Sequence, residues 1–196
     1  MSGGAGAHTI GQARGSGLRV RPVRAGAVIA VALAIGFAVW LTLRDDSSSA
    51  STSPVPKGAK AVPISVSGLH TIASLGVTIY WVGEKPGSRY ELTKTNDNRV
   101  FIRYLPRGVR VGSDKPYLTV GTYPVKDAFA LTNRLAARST SVRVGTTENS
   151  VAFYNRERPA NVFVAYKGVD YQVEVFDPSA DRTRELVTSG VLATVG

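Results

Sequence analysis

The arrangement of apolar and polar residues divides the chain into one long uncharged run and a later series of short alternating segments. The run from Ala25 to Leu43 holds 19 residues without a charged side chain. A helix of that length rises roughly 28 Å, close to the hydrocarbon thickness of a bilayer, which is about 30 Å. Because a single segment satisfies its backbone hydrogen bonds in lipid only as a helix, we predict a transmembrane helix over 25–43. The alternative is a buried core helix, although polar stretches flank the run on both sides.

The residues after position 63 have the pattern of a folded domain. Short runs rich in β-branched and aromatic residues alternate with turn signals such as Lys85-Pro86-Gly87. The predicted strands cover residues 77–82, 89–95, 100–105, 117–122, 141–144, 151–154, 162–166, 171–176 and 191–195. A series of strands interrupted by few helices favours an α+β domain over 64–196, with a mainly antiparallel sheet and about three helices.

Three segments carry helix signals. Ser65 or Ser67 is placed to cap the first helix. The second has Pro124 in its first turn, followed by apolar residues at helical spacing. The third has Asp177 as its N-cap and Pro178 as its first helical residue.

One predicted strand alternates strictly between apolar and polar residues. In the segment 171–176 the apolar residues are separated by Gln172 and Glu174. Successive side chains of a strand point to opposite faces of the sheet. The polar pair therefore predicts that one face of this strand is exposed to water.

Charges on either side of the apolar run predict its orientation. Residues 1–24 carry four arginines and no acidic residue, whereas Arg44 on the other side is followed at once by Asp45 and Asp46. Because basic residues are retained on the cytoplasmic side of a membrane, the N-terminus is predicted to be cytoplasmic. The domain 64–196 is then extracytoplasmic.

The segments that flank the predicted helix have no pattern of a folded core. The tail 1–24 is rich in Gly, Ala and Ser, and is predicted to be a disordered basic cytoplasmic tail. Residues 44–63 are rich in Ser, Thr and Pro and are predicted to be a linker. The apolar run is longer than the about 7–15 residues of a signal peptide, which favours an uncleaved signal-anchor. The alternative is cleavage near Ser48-Ser49-Ala50.

Small residues recur along the predicted transmembrane helix. They are spaced by four residues and share one helix face: Gly26, Ala30, Ala34 and Ala38. Small side chains at this spacing let two helix backbones approach closely, so this row is a candidate face for a homodimer. The alternative is that an Ala-rich helix produces such a row by chance.

Composition excludes several classes of site. The chain has no cysteine and only two histidines, of which His70 is the one in the predicted domain. Disulfides, thiolate metal sites and a Cys nucleophile are therefore excluded, and one histidine cannot complete the usual zinc site. The sequence has no phosphate-binding glycine loop, calcium loop or nucleophile elbow. We therefore expect no catalytic residues, no metal and no cofactor.

The positive charge is spread over the chain. The formal net charge is +10, and the domain 64–196 carries 17 basic and 12 acidic side chains. This distribution does not form one concentrated basic patch, so we predict no nucleic-acid partner.

A group of arginines interleaved with aromatic residues is the strongest candidate site in the domain. Four of them lie within 12 residues: Arg99, Arg103, Arg107 and Arg110. Guanidinium groups bind phosphates and carboxylates, which cell-wall polymers and anionic lipids both carry. The cluster therefore predicts an anion-binding site for an envelope polymer or protein. The alternative is a solvated strand face that prevents aggregation at a sheet edge.

Three stretches of the domain carry a family resemblance. They read TIYWVGEKPGSRYELTKTNDNRVFIRYLP from Thr78, LTVGTYPV from Leu118 and VFVAYKGVDYQVEVFDP from Val162. These stretches resemble uncharacterised single-pass membrane proteins of actinobacteria, over most of residues 64–190. The resemblance implies a bacterial membrane protein and brings no known activity, cofactor or site residue.

Together these patterns predict a membrane-anchored, extracytoplasmic binding or interaction domain at the bacterial cell envelope, without catalytic activity. Two alternatives stay open. An envelope-modifying hydrolase or transferase would gather His70 or two carboxylates in a deep cleft. An inverted topology would place the domain in the cytoplasm, with its basic face on nucleic acid or lipid, and the four arginines before the helix argue against that orientation.

Overall fold

An eight-stranded antiparallel sheet forms the centre of the folded domain. The computed structural model describes residues 53–145 and 147–196. The strands are β1 (Ala61–Ile64), β2 (Tyr80–Trp81), β3 (Ser88–Lys94), β4 (Val100–Pro106), β5 (Thr119–Pro124), β6 (Ser141–Val144), β7 (Ser150–Asn155), β8 (Arg158–Tyr166), β9 (Tyr171–Phe176) and β10 (Ala193–Thr194). The helices are α1 (Val66–Ser74), α2 (Ala128–Ala136) and α3 (Ala180–Thr188).

The order of the strands confirms the predicted class. In the large sheet the order is β1-β3-β4-β5-β9-β8-β7-β6, and β10 pairs with β2 in a separate two-stranded sheet. Every neighbouring pair is antiparallel. The described residues therefore form an α+β domain with an antiparallel sheet and three helices.

Apolar side chains lie on both faces of the large sheet. In β8, Val162 and Val164 belong to the core cluster that contains Leu69 of α1 and residues of α3. Phe163, which points the other way, belongs to the cluster that contains Leu131 of α2. We call these two surfaces the α1–α3 face and the α2 face. A strand that is apolar on both sides has to be covered on both sides, and the helices provide that cover.

One helix cap and one turn predicted from the sequence are confirmed. The Ser65 side chain accepts a hydrogen bond from the Gly68 amide at 3.0 Å, so Ser65 is the N-cap of α1. The Ser88 amide donates to the Lys85 carbonyl at 3.1 Å, and Gly87 has the positive φ that a type II turn requires. These local signals locate α1 and the start of β3 correctly.

Two predicted helix starts are wrong. Pro124 is the last residue of β5, opposite Tyr171 of β9, and α2 begins after it. A proline suits the end of a strand as well as the first turn of a helix, so its presence did not decide between them. The N-cap of α3 is Ser179, whose side chain accepts from the Arg182 amide. Asp177, two residues before this N-cap, instead accepts a hydrogen bond from the Ser179 amide at 2.9 Å.

The first predicted strand is shorter than expected and lies outside the large sheet. Only two of its residues form β2. The Tyr80 amide donates to the Thr122 side chain at 2.9 Å, so β2 contacts β5 through a side chain. The Val82 amide donates to the Tyr104 hydroxyl at 3.0 Å, and burial raises the pKa of that hydroxyl.

The prediction that one face of β9 is exposed to water is wrong. Gln172 and Glu174 are both fully buried. β9 lies between β5 and β8, and Gln172 Nε2 donates to Thr132 Oγ1 of α2 at 2.7 Å. The alternating pattern gives the direction of each side chain correctly. It does not reveal that the strand is central, where polar side chains are covered as well.

The described chain begins on the α2 face. Pro54 is buried, and Val55 packs against the apolar cluster of that face. β1 begins at Ala61, so the last residues of the range 44–63, predicted as a linker, pair with β3. The sheet therefore begins before the predicted boundary.

Several predictions concern residues outside the described part of the chain. These are the tail 1–24, the transmembrane helix over 25–43 and the candidate dimer face that begins at Gly26. Within the described residues no helix is long and apolar enough to cross a membrane. The transmembrane helix and its orientation stay predictions.

Candidate binding site in the loop between β4 and β5

The loop that joins β4 to β5 is built from two consecutive turns. The Val109 amide donates to the Pro106 carbonyl at 3.2 Å, and the Ser113 amide donates to the Arg110 carbonyl at the same distance. The third residue of each turn is a glycine with positive φ, at 83° and 77°. This backbone conformation favours glycine, which gives the loop a defined course that begins at the end of β4.

A buried ion pair holds this loop against the α2 face of the sheet. Glu91 of β3 and Arg103 of β4 are cross-strand partners, exposed by only 1% and 5%. Arg103 Nη1 donates to Glu91 Oε1 at 2.7 Å, and the Gly112 amide donates to Glu91 Oε2 at 2.6 Å. Arg103 Nη2 also donates to the carbonyls of Ser113 and Lys115 at 2.7 and 2.8 Å. The sheet thus supplies both a carboxylate and a guanidinium that fix the loop backbone.

The Tyr117 ring packs against the guanidinium of Arg103. The guanidinium carbon of Arg103 lies 5.6 Å from the centre of the ring, within the range of a cation–π contact. We call the set Glu91, Arg103, Gly112, Ser113 and Lys115 the loop clamp. The clamp determines the shape of the loop before any ligand arrives.

The structure does not bring the four predicted arginines together on the surface. Arg103 has the same strand parity as Phe101, which directs it to the α2 face, where the loop covers it. Its guanidinium is therefore part of the loop clamp and is closed to an external anion. Arg99 forms an ion pair with Asp97 at 2.8 Å. Against the raising effect of partial burial, hydrogen bonds from Thr95 and Arg99 lower the pKa of Asp97.

Two of the predicted arginines remain on the surface. Arg107 and Arg110 are exposed, and neither forms an ion pair within the described part of the chain. Lys115 is exposed in the same loop, and Asp114 is the one acidic side chain between residues 107 and 115. We call Arg107, Arg110 and Lys115 the loop cations. Lys115 was not predicted, because the sequence pattern grouped only the four arginines between positions 99 and 110.

An open cavity lies in this loop. Its volume is about 590 Å³, and residues 109–115 and Tyr117 line it. Two of the loop cations, Arg110 and Lys115, are among these lining residues. An anionic group that enters the cavity would therefore meet basic side chains on a backbone that the clamp holds in place.

A second buried polar group lies further along the α2 face. The Tyr123 hydroxyl donates to Glu174 Oε2, and Asn161 Nδ2 donates to Glu174 Oε1 at 2.6 Å. Gly121 stands directly opposite Glu174 in the paired strands, and its missing side chain leaves room for the Tyr123 ring. All of these residues are buried, so this group stabilises the sheet and presents no surface to a substrate.

The surroundings of His70 do not resemble a catalytic triad. His70 is exposed on α1, and its ring lies edge-on to Trp81 with the ring centres 5.9 Å apart. In the part of the chain that the structure describes, His70 makes no hydrogen bond or ion pair with a carboxylate. Those residues also contain no group of three or more His, Cys, Asp or Glu side chains that could hold a metal ion.

Comparison with known proteins adds no family. A search of family models, of curated proteins and of solved structures gives no match to this chain. No enzyme family is identified.

Proposed function

We propose that this chain is a membrane-anchored, extracytoplasmic, non-catalytic binding domain of the bacterial cell envelope, and that its ligand carries phosphate or carboxylate groups. One observation carries the proposal. Two of the loop cations, Arg110 and Lys115, line an open cavity, and Arg107 is exposed in the same loop, whose backbone a buried ion pair fixes to the sheet. The anchor and the orientation come from the uncharged run over 25–43 and from the arginines that precede it.

The chemistry of the loop suits an anionic partner. Arginine binds phosphate and carboxylate through paired N–H donors, and lysine adds a mobile positive charge. Because the clamp already orders the loop, binding has little further conformational entropy to overcome. The cavity is open to solvent, and it is therefore better suited to one segment of a long polymer or to a headgroup than to an enclosed small molecule.

The buried carboxylates support a binding role over a catalytic one. Glu91 accepts hydrogen bonds from Arg103 and Gly112 within the clamp. Glu174 accepts hydrogen bonds from Tyr123 and Asn161 in the interior. A general acid or base has to reach its substrate, and both carboxylates are covered by the protein.

Neutralising the loop cations tests this function. The full chain would be placed in nanodiscs of zwitterionic lipid and titrated with fluorescent poly(glycerol phosphate) as the anionic probe. We expect the variant Arg107→Gln/Arg110→Gln/Lys115→Gln to bind the probe at least about tenfold more weakly than the unaltered chain, a difference of about 1.4 kcal/mol.

The matched control removes the same charge elsewhere. Lys126, Arg134 and Arg138 are exposed in and around α2, and their replacement by Gln should change the affinity less than about twofold. If both triple variants lose affinity equally, the binding reflects net charge alone and the assignment to the loop is wrong.

A further inference from the structure

We infer that the ligand of the loop is a segment of a sugar-phosphate polymer, and that the Tyr117 ring stacks on the sugar while Arg110 and Lys115 bind the adjacent phosphate. The inference rests on the proposed function and names the class of ligand for the same site. Three observations lead to it. They are the position of the Tyr117 ring in the cavity, the apolar side chains beside it, and the place of the loop at one end of the sheet.

The Tyr117 ring is part of the cavity wall, next to the cations. Its side chain lines the cavity together with Arg110 and Lys115. The Arg103 guanidinium lies over the ring, and Arg103 is buried whereas Tyr117 is only half-buried. The guanidinium therefore occupies the inner side of the ring, and the remaining surface of the ring is open to the cavity.

The protein holds this ring in place on both sides along the chain. The Thr119 hydroxyl donates to the Tyr117 carbonyl at 2.8 Å, and Thr119 is fully buried in β5. On the other side, Arg103 Nη2 donates to the Lys115 carbonyl at 2.8 Å. Within the described residues the Tyr117 hydroxyl has no hydrogen-bond partner, so it is available to a ligand. A ring that is already ordered loses little conformational entropy when a ligand stacks on it.

The cavity offers apolar contacts that a phosphate alone would not use. Val109 and Val111 are half-buried and line it together with Tyr117. A glycerol phosphate chain would engage the cations but has no flat surface to lay on the ring. One face of a sugar ring presents C–H groups with partial positive charge, which complement the negative face of an aromatic ring. A few polar groups among apolar lining residues therefore fit a sugar that carries phosphate.

The place of the loop favours a polymer over a lipid headgroup as the source of this ligand. The loop leaves β4 at Pro106, which lies opposite Ser88 of β3. The chain enters the sheet at Ala61, which lies opposite Thr93. Ser88 and Thr93 are separated by about 17 Å of strand. The loop therefore projects from the end of the sheet that is remote from the point where the chain enters it.

Two anionic probes of equal charge test the stacking. The full chain in nanodiscs of zwitterionic lipid would be titrated with fluorescent poly(glycerol phosphate) and with a phosphodiester-linked N-acetylglucosamine oligomer that has the same number of phosphates. We expect the sugar-phosphate oligomer to bind at least about fivefold more tightly. Tyr117→Leu should remove this preference. Tyr117→Phe keeps the ring and should keep the preference.

The ratio of the two affinities separates stacking from damage to the loop, because a disordered loop would weaken both probes and leave their ratio unchanged. The matched control is Tyr171→Leu, which replaces a half-buried tyrosine at the opposite end of the sheet and should not alter the ratio. A phospholipid with a glucose headgroup, added to the nanodiscs, should weaken binding of the oligomer by less than about twofold.

Equal affinities for the two probes in the unaltered chain overturn the inference, and so does a preference that persists in Tyr117→Leu. Strong competition by the glucose lipid would overturn the choice of a polymer. If poly(glycerol phosphate) still binds through the loop cations in these cases, the proposed function stands without the sugar contact. If neither probe depends on the loop cations, both proposals fail.

Discussion

Replacing Glu91 by Ala is expected to lower the free energy of unfolding of the domain by about 3–5 kcal/mol, because it leaves the buried Arg103 guanidinium without its counter-charge. Arg103 is 5% exposed, so solvent hardly reaches its guanidinium in the folded domain. The Gly112 amide loses its acceptor in the same variant. Urea unfolding of the full chain in detergent micelles, followed by the far-ultraviolet signal of the sheet, measures the change.

The matched control is the exposed ion pair in the turn after β3. Asp97→Ala removes the partner of Arg99, but the Asp97 side chain is 55% exposed. Exposed pairs contribute about 0–1 kcal/mol, so this variant should be nearly as stable as the original chain. If Glu91→Ala costs no more than Asp97→Ala, the clamp does not hold the loop.

A second variant keeps this prediction testable even if Glu91→Ala fails to fold. Glu91→Leu/Arg103→Met removes both charges and leaves apolar side chains of similar reach in the interior. Buried ion pairs are often replaced in this way at little cost, so we expect the double variant to recover more than half of the lost stability. The loop should nevertheless be less ordered, since the carbonyls of Ser113 and Lys115 lose their donor. Faster amide exchange over residues 107–118 would confirm this role.

Replacing Gly121 by Ala is expected to destabilise the domain by about 1–3 kcal/mol through overpacking. A Cβ atom at this position would lie 3.0 Å from both the ring and the hydroxyl of Tyr123, and 3.2 Å from the Phe101 ring. The Tyr123 ring would have to move, which would weaken its hydrogen bond to the buried Glu174. The same urea unfolding experiment measures the loss.

Gly145→Ala provides the comparison for this second variant. Nothing lies within 4 Å of a Cβ atom built on Gly145, so the substitution should be neutral to within about 0.5 kcal/mol. Tyr123→Phe provides a further check. In that background the hydroxyl is absent, and the additional cost of Gly121→Ala should fall. An undiminished cost would mean that the hydroxyl contact is not the source of the strain.

The elements with strong local signals could be predicted from the sequence. Ser65 caps α1, and the Lys85-Pro86-Gly87 turn starts β3, because both depend on hydrogen bonds between residues close in sequence. The helix start predicted at Pro124 was wrong, because proline is common both at the end of a strand and in the first turn of a helix. The pairing of β5 with β9 shows that Pro124 ends a strand. The exposure of Gln172 and Glu174 was predicted wrongly for a related reason. Strand order is a long-range property that alternation does not encode.

The candidate site was predicted only in part. Arg107 and Arg110 were identified, and they are exposed in the loop. The different role of Arg103 depends on its register with Glu91, which is 12 residues away in sequence and directly opposite in the sheet. Lys115 lines the same cavity as Arg110, and its carbonyl is held by Arg103, a contact between residues 12 apart in sequence. The pairing of Glu91 with Arg103 follows from the register of β3 and β4, which the sequence pattern does not give.

The topology of the chain is the central claim, since both proposals need the domain outside the cytoplasmic membrane. The most direct test is protease treatment of intact cells that carry the full chain with a C-terminal epitope tag. We predict that external protease removes the tag from a membrane protein that is otherwise of full length. If the tag is protected until the membrane is permeabilised, the domain is cytoplasmic and the account is contradicted.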